Sequence, residues 1–135
     1  MIRLSKKADY GIEALIALSK AENGELISMS KMSKERKLPL YFLSQVMSEL
    51  KKAGLVESKE GIGGGYRILV QPEGISILRI LEIFEGETAL VDCACKDFQS
   101  CKRGDKCQSK EGWSALNKDF INFFKEKTLQ DLIKD

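Results

Sequence analysis

The sequence predicts a mainly α protein with one small β-hairpin, arranged as a winged helix-turn-helix with a long C-terminal helix. Three observations predict it. The first half of the chain carries three segments of helical hydrophobic period, the middle one short. Two short strand-like runs follow, joined by a glycine-rich loop. Near the C-terminus, aromatic residues recur at helical spacing. Helix, short helix, helix, hairpin is the element order in which a third helix enters a major groove and the hairpin rests on the backbone or minor groove.

Each element has a local reason. Ser5 caps a first helix with Ala8, Ile12, Leu15 and Ile16 on its core face, and Asn23-Gly24 ends it. Ser28 caps a second helix from Met29 to about Arg36, with Met29 and Met32 inward. Pro39 suits the first turn of a third helix because it has no N–H to leave unpaired. Leu40, Leu43, Met47 and Leu50 then form its apolar face, and Gly54 is the natural residue just past its end. Leu55–Ser58 and Tyr66–Val70 read as strands. Between them, residues 61–65 hold four glycines, a loop able to turn tightly and approach another molecule. After Pro72-Glu-Gly74, Ser76 caps a fourth helix with Ile77, Ile80, Leu81 and Phe84 apolar, and Gly86 closes it. A long helix runs from Glu111 to about Lys127, and Thr128-Leu-Gln-Asp131 has the form of a capping box opening a last short helix. Three units result: 1–86, a DNA-binding winged helix-turn-helix with a supporting helix; 87–110, a cysteine-rich loop; and 111–135, a long helix and tail, which the resemblance described below implies is the dimerisation helix.

Composition narrows the function. A chain of 135 residues with 43% hydrophobic and 31% charged residues can bury one core without disulfides. No apolar run approaches the roughly 20 residues of a membrane-spanning helix. The start, Met1 to Lys7, lacks a secretory apolar stretch, so a cytoplasmic location is expected. The chain contains no histidine, which removes histidine acid–base catalysis, the Ser-His-Asp triad and His-ligated metal sites. No nucleophile stands paired with a base, so an enzyme is not expected. Net charge is +4 over residues 1–70 and −2 over residues 71–135, a mild asymmetry that permits an anion to meet the N-terminal part.

The outward face of the third helix carries Tyr41, Ser44, Gln45, Ser48, Lys51 and Lys52, and the hairpin adds Lys59 and Arg67. Glutamine and serine can reach base edges, and the cations can meet phosphates. The bland alternative is a solvated amphipathic face. The glycine loop is not a nucleotide cradle, because an apolar strand follows it where a P-loop needs Lys-Ser/Thr and a helix.

All four cysteines fall between Cys93 and Cys107, spaced Cys93-x-Cys95-x5-Cys101-x5-Cys107. Thiolates favour zinc, copper(I) or iron–sulfur clusters. The five-residue gaps do not suit the short knuckles of structural zinc, whereas a loose loop can wrap a larger cluster. Zinc and thiol redox chemistry stay open as alternatives.

Together these residues resemble the winged-helix regulators of the Rrf-two family, typified by IscR, NsrR and RirA. The resemblance covers nearly the whole chain. It runs through Arg3-Leu-Ser5, Ala8-Asp-Tyr-Gly11, Gly54-Leu-Val-Glu-Ser58, Gly61-Ile-Gly-Gly-Gly-Tyr66, Ile75-Ser-Ile77, the loop of Cys95, Cys101 and Cys107 with Gly104-Asp-Lys-Cys107, Trp113 and Thr128-Leu-Gln-Asp-Leu132. It implies a homodimeric transcription factor on a pseudo-palindromic operator of double-stranded DNA. Trp113, Leu116, Phe120, Phe123 and Phe124 would form the dimer face, in part or shared with the chain's own core. It further implies an iron–sulfur cluster, [2Fe–2S] or [4Fe–4S], held by Cys95, Cys101 and Cys107. Oxidation, iron limitation or nitric oxide would be the signal.

The departures are specific. Lys110 stands where IscR-like members place a histidine ligand. Asp9 matches the aspartate that NsrR-like members contribute from the other subunit, and Cys93 is the alternative fourth ligand. Glu60 replaces a common wing arginine, and a glutamate there is repelled by a narrow minor groove. Ser44 replaces a glutamate that tunes sequence choice in IscR, so operator preference does not carry over. Two other readings remain: a cluster-free regulator of the same fold using zinc, thiols or a partner protein, and a small iron–sulfur electron carrier.

Overall fold

The computed structural model describes residues 2–134. Met1 and Asp135, the outer limits of the first and last predicted units, lie outside the described residues. The fold is mainly helical with a two-stranded antiparallel hairpin, as the sequence predicts.

Helix α1 (Lys6–Ser19) starts where the Ser5 side chain accepts the Ala8 N–H at 3.2 Å. It packs on α3 (Leu40–Lys52) and α4 (Ile77–Glu85). Helix α2 (Met29–Arg36) is capped by Ser28, whose oxygen accepts the Lys31 N–H at 3.1 Å. Met32 is buried and Met29 sits half-buried against the core.

Helix α3 differs from expectation by one residue. Pro39 is the N-cap, extended at φ −60° and ψ 123°, and its carbonyl accepts the first helical N–H from Leu43. Leu40 is therefore half-exposed at 50%, and the buried face is Leu43, Val46, Met47 and Leu50. At the other end Gly54 takes a positive φ of 79°, and the Leu55 N–H reaches back to the Leu50 carbonyl. That left-handed step, open to glycine, turns the chain into the hairpin.

Strands β1 (Val56–Lys59) and β2 (Gly65–Ile68) pair in the register Val56↔Ile68 to Lys59↔Gly65. Tyr66 also exchanges two backbone bonds with Ile27, at 2.8 and 2.9 Å, which docks the hairpin beside α2. A Cβ on Gly65 would lie 2.6 Å from the Ile27 backbone, so the close approach excludes any larger residue.

Ser76 caps α4, and Gly86 ends it. Helix α5 (Lys110–Glu126) packs along α4. The chain then returns: the Leu129 N–H donates to the Ile75 carbonyl, the Ile77 N–H to that of Lys127, and Leu129 is fully buried. The expected capping box is present, with the Thr128 N–H donating to Asp131 at 2.8 Å. No helix among the described residues is long and apolar enough to cross a membrane.

Candidate functional site

Two surfaces carry the candidate residues. On the first, the buried stripe of α3 turns its opposite face outward. Tyr41 is 76% exposed, and Ser44, Gln45, Ser48, Lys51 and Lys52 are exposed beside it. Gln45 donates from Nε2 to the Tyr41 hydroxyl at 3.2 Å, one helical turn away, so the two side chains present one polar edge. Lys51 donates to the Ser58 hydroxyl at 2.7 Å and ties α3 to the hairpin. Lys59 is exposed at the loop end of β1, while Arg67 is ion-paired across the strands with Glu57. The wing tip is Ile62, wholly exposed between Gly61 and Gly63, both at positive φ.

The second surface is the cysteine segment between α4 and α5. Two contacts hold its entry. Asn117 of α5, a buried polar residue, accepts the Leu90 N–H at 2.7 Å. Glu87 accepts the Lys96 N–H at 2.7 Å. A single tight turn, Asp92–Ala94, lies between these anchors and separates Cys93 from Cys95. Replacing Asn117 by leucine leaves the Leu90 N–H without its partner. The expected cost is about 1–3 kcal/mol of stability, with faster proteolytic cleavage between residues 90 and 107, read by urea unfolding and limited proteolysis.

Cys93, Cys101 and Cys107 line one cavity of about 270 Å³ together with Phe98, Arg103, Gly104 and Lys110. Cys95 is not in its lining; its thiol faces the Val91 carbonyl at 3.9 Å. The environments of the thiols differ in sign. The Arg103 backbone N–H, then its guanidinium, hold the Cys101 thiol below its ordinary value. The Ser109 hydroxyl, then its backbone N–H, do the same for Cys107. Ser109 is the N-cap of α5 but makes no side-chain capping bond; its hydroxyl instead lies 3.6 Å from Cys107 Sγ. Cys95 is pushed up, first by partial burial and then by the carboxylates of Glu87, Asp92 and Asp97. Thiolate is the reactive form. Near neutral pH, iodoacetamide is therefore expected to alkylate Cys101 and Cys107 of the metal-free protein faster than Cys95, an order that peptide mass spectrometry over time would read.

The donors are thiols, the type that soft metals favour. Cys93, Cys101 and Cys107 line one cavity with Arg103 and Lys110 beside them. Among the described residues, no three His, Cys, Asp or Glu side chains stand close enough together to hold a single metal ion. Asp9 is exposed on the first turn of α1 and does not line this cavity.

On α5 the aromatic stripe divides. Phe124 packs on the core, and with Phe120, Leu81, Leu90 and Leu4 it lines a groove of about 390 Å³. Trp113, Leu116 and Phe123 are 40%, 55% and 55% exposed. The sequence does not distinguish these two sets, because all five positions fall on one broad helical stripe.

The Rrf2 family model, described as an iron-dependent transcriptional regulator, matches residues 4–135. The chain belongs to the Rrf2 family. It is 32% identical over 138 residues to the transcriptional regulator IscR of Cereibacter sphaeroides, covering 99% of this chain and 88% of that protein. Its fold is similar to that of CymR, the global cysteine regulator of B. subtilis. The TM-score is 0.75 at 29% identity, over 98% of this chain and 96% of that one. It is also similar to T. potens IscR, with a TM-score of 0.71 at 26% identity over 97% and 85% of the two chains. The protein is thus a transcriptional regulator of the Rrf2 family and not an enzyme. The Rrf2 winged-helix fold accounts for α3 and the hairpin standing side by side on one face.

Proposed function

We propose that this Rrf2 regulator binds double-stranded operator DNA as a homodimer and senses redox state, iron or nitric oxide through an iron–sulfur cluster in its cysteine loop. The observation that carries the cluster reading is the cavity shared by Cys93, Cys101 and Cys107 beside Arg103 and Lys110. Cys95, Cys101 and Cys107 would hold the group, with Asp9 of a second copy as the further ligand and Cys93 as the alternative to it. When bound, the cluster supplies a centre whose charge changes with oxidation and whose loss removes a cross-link within the loop. The chain's own residues carry the consequence. Asn117 fastens the loop to α5, so any change in the loop is felt by the helix that bears the dimer face.

The anaerobic visible absorption spectrum of freshly purified protein tests this reading. Broad iron–sulfide bands support it. A featureless spectrum after reconstitution with ferrous iron and sulfide leaves the cluster-free alternative. That alternative has its own support, since Arg103 and Ser109 stabilise thiolates at Cys101 and Cys107 without any metal, and the fold is close to that of CymR.

For DNA, Tyr41, Ser44, Gln45 and Ser48 are the base-reading candidates, and Lys51, Lys59 and Arg67 the phosphate contacts. Gln45→Ala is expected to cost about 1–3 kcal/mol of discrimination at the base it reads, while Lys51→Ala weakens all sequences alike and lowers the salt slope by about 1 per site. Titrations of operator and scrambled duplex at several salt concentrations separate the two effects.

A further inference from the structure

We infer that Ile62, at the tip of the hairpin loop, is a DNA-contacting residue: its aliphatic side chain packs into the minor groove of the operator and selects A·T over G·C pairs there. This rests on the DNA-binding reading and adds a specificity residue outside α3. Ile62 is wholly exposed. A lone exposed isoleucine is ordinary on a protein surface; this one is held out on a fixed turn. The Gly64 N–H donates to the Gly61 carbonyl at 3.0 Å, and Gly63 has a φ of 77°, the pattern of a type II turn with Ile62 at its second position. A Cβ on Gly64 would run into the Lys59 carbonyl oxygen, so the loop closes in this form only with glycine there. Between Glu60 and Tyr66, Ile62 carries the only side chain.

The placement suits the groove next to the one that α3 would enter. Lys51 of α3 is tied to Ser58 of β1 at 2.7 Å, and Tyr66 of β2 is docked on Ile27, so helix and hairpin form one body. Ile62 stands four residues beyond Ser58, a reach of at most about 13 Å along extended chain. That is close to the width of a major groove, about 12 Å. A recognition helix seated in the major groove therefore leaves the tip over the adjoining minor groove.

Charge leaves an apolar contact as what the tip offers. Lys59 and Glu60 cancel, and the next cation, Arg67, is ion-paired with Glu57. Phosphates repel Glu60, but Gly61, at a φ of 97°, turns the chain after it, and Ile62 lies beyond at the apex. The minor-groove edges of both pair types present acceptors, and G·C adds the guanine N2 amino group. An aliphatic side chain on the groove floor meets that extra bulk and strips water from a donor whose hydrogen bond it cannot accept. A·T pairs carry no such group, and aliphatic side chains are a recurrent means of binding the minor groove.

The test uses the full chain and a duplex that it selects from a random-sequence pool. Each A·T pair of that duplex is replaced in turn by G·C, or by inosine·cytosine, which is G·C without the amino group. At the pair beneath the tip, G·C is expected to weaken binding about 5- to 10-fold, the low end for one altered pair, while inosine·cytosine binds like A·T. Pairs read by α3 behave otherwise: inosine·cytosine fails there as G·C does, because the two are alike in the major groove. Ile62→Ala is expected to abolish the penalty at the tip pair and to leave the salt slope unchanged, since no phosphate contact is lost. Ile62→Lys is expected to steepen the salt slope by about 1 per subunit, as a new cation beside the backbone would. Circular dichroism of both variants should match the wild type. A G·C penalty that persists in Ile62→Ala, an unchanged salt slope in Ile62→Lys, or a wild-type scan with no pair of the inosine pattern overturns the inference while leaving DNA binding intact. A wild-type chain that selects no duplex overturns both.

Discussion

Leu129→Ala is expected to lower the free energy of unfolding by about 2–5 kcal/mol, the range for truncating a buried leucine in a core that cannot collapse around the gap. Leu129 lies beyond the last long helix, where a chain end would ordinarily tolerate change, yet it is fully buried. Its N–H donates to the Ile75 carbonyl at 2.9 Å, and the Lys127 carbonyl accepts from Ile77 at 2.8 Å. The tail is thereby sewn to the start of α4, and the side chain belongs to the same buried cluster as Ile75 and Ile80. The capping box of Thr128 and Asp131 holds the turn that aims it inward. Leu132 is the internal control. It is the same residue type three positions on, but 48% exposed, so Leu132→Ala should stay within about 0.5 kcal/mol. Urea unfolding followed by circular dichroism reads both. Equal costs for the two variants would mean that the tail is not part of the core.

The tail also shows what sequence patterning can and cannot reveal. The capping box was legible at Thr128 and Asp131 because its spacing is local. That Leu129 completes a core built mostly of residues 12–81 was not, because nothing local marks a long-range backbone bridge. Three helix starts are marked in the sequence for the same reason: Ser5, Ser28 and Ser76 each cap within three residues of themselves. At α3, Pro39 fits both the cap and the first turn, and only the packing of Val46 in place of Leu40 decides between them. The docking of Tyr66 on Ile27 left no signal, since one isolated pair has no period. In the candidate site, the exposed face of α3 followed directly from its amphipathic pattern. The grouping of the cysteines did not. Cys93 and Cys95 are alike by spacing, and the anchors on either side of them, Asn117 and Glu87, lie 22 and 6 residues from the nearer of the two. Arg103 and Ser109, which act on Cys101 and Cys107, likewise belong to no motif, although each sits two residues after a cysteine, within reach of its sulfur.

The double substitution Trp113→Glu and Phe123→Glu is expected to convert the proposed homodimer to a monomer and to weaken binding to a full operator by about 100- to 10,000-fold. That is the range by which linking two sites exceeds either one alone. Trp113 and Phe123 are ten residues apart on α5, with Leu116 between them, and all three remain substantially exposed in the single chain. Phe124, by contrast, is already committed to the core, so changing it would confound folding with assembly. In a two-fold pair every substituted position occurs on both sides of the interface, which doubles the effect of each charge introduced. Sedimentation velocity reads the assembly state, circular dichroism the retained helices, and operator titration the affinity. A duplex carrying one half-site is the decisive companion. Its affinity should scarcely change, because Gln45, Lys51 and the wing lie on another element and are untouched. If half-site and full-site binding fall together, the substitutions have damaged the winged helix itself. If sedimentation is unchanged, the dimer is built on a different face. If only the full site is lost, the exposed stripe of α5 is what joins two recognition helices into one operator reader.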